Sequence, residues 1–166
     1  MRILFNQQII QDAVNKIAFD INQENLNSPP PVMICVLNGA FMFFTDLIKG
    51  ISLDCEIDFI KAKTNSDNIV DIKSDININI TGKNVYIIDD ILDSGETMRA
   101  LIKHFELKHP RSIHPVTLFK RYSNTWSTIY GIKLENESWL CGYGLDAKNG
   151  LMRNRSVVFG EEKEID

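Results

Sequence analysis

The stretch VYIIDDILDSGETM, residues 85–98, places Asp89, Asp90, Asp93 and Glu96, two hydroxyl residues and a glycine directly behind four apolar residues. A short continuous apolar run is the pattern of a strand buried on both faces. Met98, Leu101, Ile102 and Phe105 follow at helical spacing, so the acids stand where a buried strand gives way to a helix. In parallel α/β sheets ligands bind beyond the carboxyl ends of the strands. A helix that begins near Gly95 offers unpaired backbone N–H groups and the positive end of its dipole. Ser94 and Thr97 add hydroxyl donors, and Gly95 lets the backbone approach closely. Together these make a phosphate cradle. Asp89 and Asp90, just upstream, would repel a bare phosphate but suit sugar hydroxyls or a hydrated Mg²⁺. A ligand with a phosphate at one end and a diol at the other satisfies both halves. Asp93 and Glu96 also have the spacing of a variant capping box. Capping accounts for those two residues but not for two further acids directly behind the strand, so the binding reading is preferred.

The elements that must position these residues follow from apolar spacing. Phe5, Ile9, Ile10, Ala13, Val14, Ile17, Ala18 and Ile21 predict an opening amphipathic helix with Asn6 as its cap, ended by the prolines of NLNSPPP. VMICVL, residues 32–37, predicts a buried strand; Asn38-Gly39 breaks it, and AFMFFTDLIKG predicts a helix stopped by Gly50. CEIDFIKAK predicts a strand, and the polar residues 64–82 a long mobile loop or hairpin. IHPVTLF predicts a strand after the helix that follows the acids, and WLCGYGLD a strand or flap at one end of the sheet. Strands alternating with helices predict parallel pairing with right-handed crossovers, hence an α/β sheet covered by helices on both faces.

At 166 residues the chain is expected to form one domain, residues 1–166, around a single core. The formal charge of −4 argues against a nonspecific grip on nucleic acid. Cys35, Cys55 and Cys141 are embedded in apolar runs without paired spacing, which predicts buried reduced thiols and a cytoplasmic setting. MRILFNQQII lacks the apolar region and small-residue site of a leader, and no run approaches membrane-spanning length. His104, His109 and His114 recur every five residues without an acid or nucleophile partner, and are expected to be surface or structural residues.

VYIIDDILDSGETM is similar to the ribose-phosphate signature of type I phosphoribosyltransferases, and the flanking sequence resembles the hypoxanthine-guanine branch of that family. The resemblance covers most of the chain. VLNGAFMFFTDL resembles the family's pyrophosphate-binding turn, IDFIKAK the strand leading to its mobile catalytic loop, TLFKR its purine-contacting lysine segment, and WLCGYGLD with RN its purine and Mg²⁺ hood. The resemblance implies a central, mainly parallel sheet flanked by helices, with a small hood from the terminal segments. It also implies transfer of a phosphoribosyl group from phosphoribosyl pyrophosphate to hypoxanthine or guanine, with Mg²⁺ as cofactor and a homodimer or homotetramer as the assembly.

Roles carry over where residues match. Asp89 and Asp90 would take the ribose hydroxyls, directly or through Mg²⁺. Ser94, Gly95 and Thr97, with the backbone of Asp93, Glu96 and their neighbours, would hold the 5′-phosphate. Asp93 would exchange a proton with purine N7, which requires a carboxylate within hydrogen-bond reach. Lys120 would donate to the oxygen at purine position 6, selecting oxopurines over adenine. Trp139 would stack on the base beside Leu140; Asp146 would bind Mg²⁺ and Arg153 the leaving pyrophosphate. Gly39 would let the Leu37-Asn38-Gly39 turn approach pyrophosphate, and Lys63 would reach it from a neighbouring subunit. Each residue alone also has an ordinary explanation, Lys120 as a solvated strand end, Trp139 as core and Asp146 as a turn residue. Their order and intervals are what favour the site.

Three positions depart from the pattern. Thr64-Asn65 stand where the family's loop usually has serine and tyrosine, which loses the aromatic cover over the reaction centre. Asn38 stands where a basic residue is usual. Between Asp146 and Arg153 the spacing is one residue longer than the commonest. Two other classes remain open at this point. One is a non-catalytic, nucleotide-sensing regulator on the same fold. The other is a phosphoacceptor receiver domain, in which the paired acids belong on the first strand, whereas here two predicted strands precede them.

Overall fold

The structure, a computed structural model, describes residues 1–65, 69–135 and 138–161, with Glu161 described by its backbone alone. In chain order the elements are β1 (Arg2–Phe5), α1 (Gln7–Glu24), β2 (Val32–Leu37), α2 (Phe41–Gly50), β3 (Glu56–Thr64), β4 (Val70–Ser74), β5 (Asn84–Leu92), α3 (Glu96–Glu106), β6 (Ser112–Arg121), β7 (Ile129–Leu134), β8 (Trp139–Cys141) and β9 (Val158–Glu161). The larger sheet runs β4-β3-β2-β5-β6-β7, and the smaller one β1-β9-β8. In the larger sheet β2 pairs in parallel with β3 and β5, β5 with β6, and β6 with β7; β4 alone is antiparallel, against β3. The predicted mainly parallel sheet flanked by helices is the fold observed, and the hood is the small antiparallel sheet in which β1, from the first residues, joins β9 and β8 from the last.

Alternation along the central strands explains the two-sided core. Met33 and Cys35 on β2, with Tyr86 and Ile88 on β5, face the α1 and α2 side, where Ile10, Val14, Ile17, Ile21, Phe43 and Leu47 are buried. Val32, Ile34 and Val36, with Val85 and Ile87, face α3, where Met98, Leu101 and Phe105 close the other layer. Both faces are covered, so the strands are apolar at every position. The oxygen of the Asn6 side chain accepts the N–H of Ile9 at 2.9 Å, the cap expected at the start of α1.

Several elements differ from expectation. Phe5 belongs to β1 rather than to the helix, and Ile9 faces solvent, because the helical apolar period begins at Ile10. β7 has no counterpart in the sequence reading, since IYGIKL has the partial burial of a sheet-edge strand. β1 to β4 all precede the acid pair, which removes the receiver topology further than the two predicted strands did. Within residues 64–82 the hairpin alternative forms through β4; residues 66–68 of that stretch lie outside the described residues. The strand's return to β5 is pinned by side chains. The Asp58 carboxylate accepts the N–H groups of Asn77 and Ile78, and Asp75 accepts from His104 and Lys108 at 2.9 Å each. His114 stacks on Tyr86 at 4.6 Å between ring centroids, and His104, expected to lack an acid partner, has one in Asp75, so both are structural. Cys35 and Cys141 are buried, whereas Cys55 is only half-buried, next to the turn that precedes β3. Among the described residues no helix is long and apolar enough to cross a membrane.

Candidate active site

The carboxyl ends of β2 and β5 and the start of α3 converge on one cleft of about 300 Å³. The parallel register explains the convergence. β2 and β5 run side by side until Cys35 and Ile88, after which β2 breaks into the Leu37-Asn38-Gly39 turn and β5 continues into the acids. Both turns therefore open at the same end of the sheet, as the crossover topology requires.

The bend after β5 has the form the sequence suggested, with one difference. Gly95, not Asp93, is the N-cap of α3, at φ +85°, a left-handed conformation that glycine adopts without penalty. The N-cap supplies no side-chain bond, so the capping-box arrangement of Asp93 and Glu96 does not form, and Glu96 and Thr97 at the start of α3 line the cleft with Ser94 and Gly95. The Ser94 hydroxyl accepts the Glu96 N–H at a long 3.4 Å. The Thr97 hydroxyl lies 3.2 Å from that of Thr64, joining the end of β3 to the bend after β5.

Asp89 and Asp90 are fixed by local backbone bonds. The Asp90 N–H donates to Asp89 Oδ1 at 2.9 Å, and the Ile91 N–H to Asp90 Oδ1 at 2.7 Å. Burial, and for Asp89 the charge of its neighbour, push both carboxyls above the ordinary aspartate range, Asp89 the further. The same negative charge is felt beneath them: burial and the two acids push the Cys35 thiol up to about 12. A retained proton, a cation or hydroxyl donors would each relieve the repulsion between these two carboxylates.

The opposite wall is the Leu37-Asn38-Gly39 turn, and the hood rests on it. A Cβ at Gly144, at φ +96°, would fall 2.1 Å from the Gly39 carbonyl oxygen, so the hood turn and the Leu37-Asn38-Gly39 turn touch backbone to backbone. From the hood, Asp146 and Arg153 reach the cleft as an ion pair, Nη2 to Oδ2 at 2.9 Å, and Arg153 Nη1 also donates to the Gly144 carbonyl at 2.6 Å. The longer interval between these two residues thus still brings them together.

The cleft therefore gathers Leu37, Asn38, Gly39, Asp89, Asp90, Asp93, Ser94, Gly95, Glu96, Thr97, Asp146 and Arg153. Lys63, Lys120, Trp139 and Leu140 lie outside its lining. Lys63 is exposed on β3, opposite Asp71 of β4. Leu140 is buried in the core, and Trp139 is half-exposed with its ring N–H on the Asp146 carbonyl at 2.9 Å. Lys120 is buried to 8% exposure at the end of β6; its ammonium donates to the Trp126 carbonyl and lies 5.2 Å from the centre of the Tyr130 ring. Burial, then the nearby charge of Lys133, lowers its pKa below that of an ordinary lysine.

Sequence reasoning passed over two neighbours of Asp93. Arg121, 7% exposed, places Nε 3.5 Å from Asp93 Oδ1 and donates from Nη2 to the Ser138 carbonyl at 3.0 Å. Asn124 donates to the Asp93 carbonyl at 2.9 Å. The signal for Arg121 was the register: β5 and β6 pair Leu92 with Lys120, so the next residue on each strand meets at the bend.

The donor set suits hard cations, being carboxylate oxygen throughout. Among the described residues no three carboxylate, histidine or cysteine side chains come together as a cage. Such a site fits an ion that arrives already holding oxygens from its ligand and from water, as Mg²⁺ commonly does.

Known proteins resemble this chain in sequence and fold. The family described as phosphoribosyl transferase domain matches residues 2–148. A hypoxanthine-guanine-xanthine phosphoribosyltransferase of Tritrichomonas foetus is 34% identical over 166 residues, covering 95% of this chain and 89% of that one. A hypoxanthine-guanine phosphoribosyltransferase of Bacillus subtilis is 32% identical over 154 residues, covering 87% and 84%. The crystal structure of a hypoxanthine-guanine phosphoribosyltransferase from Bacillus anthracis, with a HEPES molecule in its active site, superposes at a TM-score of 0.90 with 30% identity, covering 98% of this chain and 99% of that one. On fold and sequence together, the chain belongs to the phosphoribosyltransferase family, in its hypoxanthine-guanine branch.

Proposed function

We propose that this chain is a purine-salvage enzyme that transfers the 5-phosphoribosyl group of phosphoribosyl pyrophosphate to hypoxanthine or guanine, forming IMP or GMP and releasing pyrophosphate. The observation that carries the reading is the cleft itself: an amide-rich helix start, an acid pair and an open glycine turn share one space of about 300 Å³. These match in order the 5′-phosphate, the ribose diol and the pyrophosphate of that substrate.

In this reading the N–H groups at the start of α3, with Ser94 and Thr97, hold the 5′-phosphate. Asp89 and Asp90 accept from the ribose hydroxyls. As the C1′–O bond to pyrophosphate breaks, charge grows on the leaving group, which the backbone of Leu37 to Gly39 and the Arg153 guanidinium stabilise. The purine N9 lone pair forms the new bond to C1′, and the proton leaves N7 for the carboxylate of Asp93, which is 67% exposed and able to meet the base. Asp89, Asp90 and Asp146 would hold Mg²⁺, which when bound neutralises charge on the pyrophosphate oxygens. Asp146 and Arg153, now paired with each other, would each gain an opposite charge from the substrate complex.

Lys120 selects the base by donating to the oxygen at position 6, and Trp139 covers the ring beside Leu140. Lys63, exposed on β3, serves the leaving group of a neighbouring subunit in a homodimer or homotetramer. Residues 1–166 act as one domain, with hood and sheet closing on the same ligand. Three free cysteines support a reducing, cytoplasmic setting.

The test is release of pyrophosphate from phosphoribosyl pyrophosphate with Mg²⁺ and each purine in turn. Turnover with hypoxanthine or guanine and not with adenine is expected. No pyrophosphate release with any purine would overturn the reading.

A further inference from the structure

The loop between β6 and β7 touches both halves of the proposed site without lining the cleft. Asn124 uses its side-chain amide in two directions. Its Nδ2 donates to the Asp93 carbonyl at 2.9 Å, and its Oδ1 accepts the Trp126 N–H at 2.9 Å. The Asn124 N–H itself returns to the Arg121 carbonyl at 3.1 Å, so a tight turn fixes the residue directly after β6. Trp126 in turn offers its carbonyl to the Lys120 ammonium and lays its ring under the Arg99 guanidinium of α3, 5.0 Å from the ring centre. The phosphate bend is thereby buttressed from behind. A Cβ on Gly95 would lie 3.4 Å from Asn124 Nδ2 and 3.8 Å from Trp126 Cε2, ordinary packing distances, so the loop sits against the back of the bend.

We propose that Asn124 is a positioning residue for the reaction: by donating to the Asp93 carbonyl it fixes the bend that presents N–H groups to the 5′-phosphate and the Asp93 side chain to the base. The inference rests on the phosphoribosyltransferase reading given above. The geometry singles out Asn124 because, among the described residues, no helical or strand bond holds the Asp93 carbonyl; β5 ends at Leu92 and α3 begins at Glu96. An amide donor from the next strand's loop supplies that anchor. The Oδ1 bond serves a different purpose, holding Trp126 so that its carbonyl stays over Lys120.

The two functions of the side chain separate in a pair of variants. Asn124→Asp keeps the acceptor for the Trp126 N–H but sets a carboxylate against the Asp93 carbonyl, while Asn124→Ala removes both bonds. Positioning through the donor predicts that N124D is at least as impaired as N124A. The KM for phosphoribosyl pyrophosphate should rise by about tenfold or more in both, the scale of one lost anchoring hydrogen bond. The KM for hypoxanthine should move less than that in N124D, because the Trp126 and Lys120 side is kept. Thermal unfolding of N124D should stay close to that of the parent protein. An N124D enzyme with parental KM for phosphoribosyl pyrophosphate would overturn the proposal. So would kinetic losses that match a fall in unfolding temperature and affect both substrates equally, since that is what general loosening does. Absence of turnover in the unsubstituted protein would instead remove the reading of function, and is seen before either variant is made.

Discussion

Gly39 and the carboxylate of Asp90 meet across the cleft: a methyl group on Gly39 would lie 1.7 Å from Asp90 Oδ2 and 2.7 Å from its carboxyl carbon. The Asp90 carboxylate therefore occupies the space that the missing side chain leaves open, and the two turns at the end of the sheet are fitted to each other.

Gly39→Ala forces the Asp90 carboxylate to rotate away from the Ile91 N–H that holds it at 2.7 Å. The sheet below need not move, because the collision involves only the tip of a side chain at the cleft surface. The expected result is a rise in KM for phosphoribosyl pyrophosphate of about tenfold or more, as misplacement near a reacting group produces. Unfolding temperature should fall by only a few degrees. Steady-state kinetics beside thermal unfolding check this; an alanine variant with unchanged KM would show that Asp90 does not touch the ligand.

Asp93→Asn keeps the shape of the side chain and its place beside Arg121, but ends proton transfer. Turnover should drop by about 10²-fold or more, within the range of general acid–base catalysis. Binding of IMP should change little, since the amide can still meet the base. Equal losses in turnover and in binding would contradict the assigned role.

Lys120 gives a pH dependence whose sign is set by its surroundings. Burial and Lys133 lower its pKa from 10.5, so it loses its proton earlier than an exposed lysine as pH rises. The neutral amine is a weaker donor to the oxopurine oxygen, so the KM for hypoxanthine should climb on the alkaline side, with a midpoint below 10.5. For stability the sign is opposite: the buried ammonium is disfavoured in the fold, and its cost is relieved as pH rises through the folded pKa. Lys120→Ala should raise the KM at neutral pH and abolish this alkaline limb. A limb that persists in the variant would assign the titration elsewhere.

The acid pair makes a prediction in which stability and activity part. Asp89 titrates above the ordinary aspartate range because burial and Asp90 oppose its charge. A raised folded pKa means that the native state binds the proton more tightly than the unfolded chain, so stability falls as pH rises through that range and the ionised pair is a cost at neutral pH. Asp89→Asn preserves the oxygen that accepts from the Asp90 N–H and removes one charge. Its unfolding temperature at pH 7 should rise by roughly 2–4 °C, the shift that about 1 kcal/mol gives in a chain of this size. Activity should fall sharply. A variant that is less stable than its parent would show that the pair is already compensated within the fold.

How much of this was legible in the sequence follows from where each signal lies. The strand-to-helix change at residues 85–98 is local, so the bend, its glycine and its acids could be read directly, as could the two-sided burial of VMICVL. β1 and β9 were not readable in that way, because four-residue strands carry too little periodicity and pair across the length of the chain. β7 was missed because a partly exposed edge strand lacks the continuous apolar run of a strand covered on both faces. The same division holds within the site. Asp89, Asp90 and Asp93 share one segment, whereas Arg121 and Asn124 reach Asp93 only through the pairing of β5 with β6. Lys120 was found by resemblance, yet its partner Trp126 was not, since a backbone carbonyl leaves no trace in residue type.

The central claim is that the bend from Asp93 to Thr97 grips a phosphate monoester while Asp89 and Asp90 hold the sugar attached to it. A crystal of the protein soaked with IMP measures this most directly. The account predicts the 5′-phosphate within hydrogen-bond distance of the backbone N–H groups of residues 94–97, and the ribose hydroxyls on the two carboxylates. Ligand density seated anywhere else, or a vacant bend at saturating IMP, would contradict it.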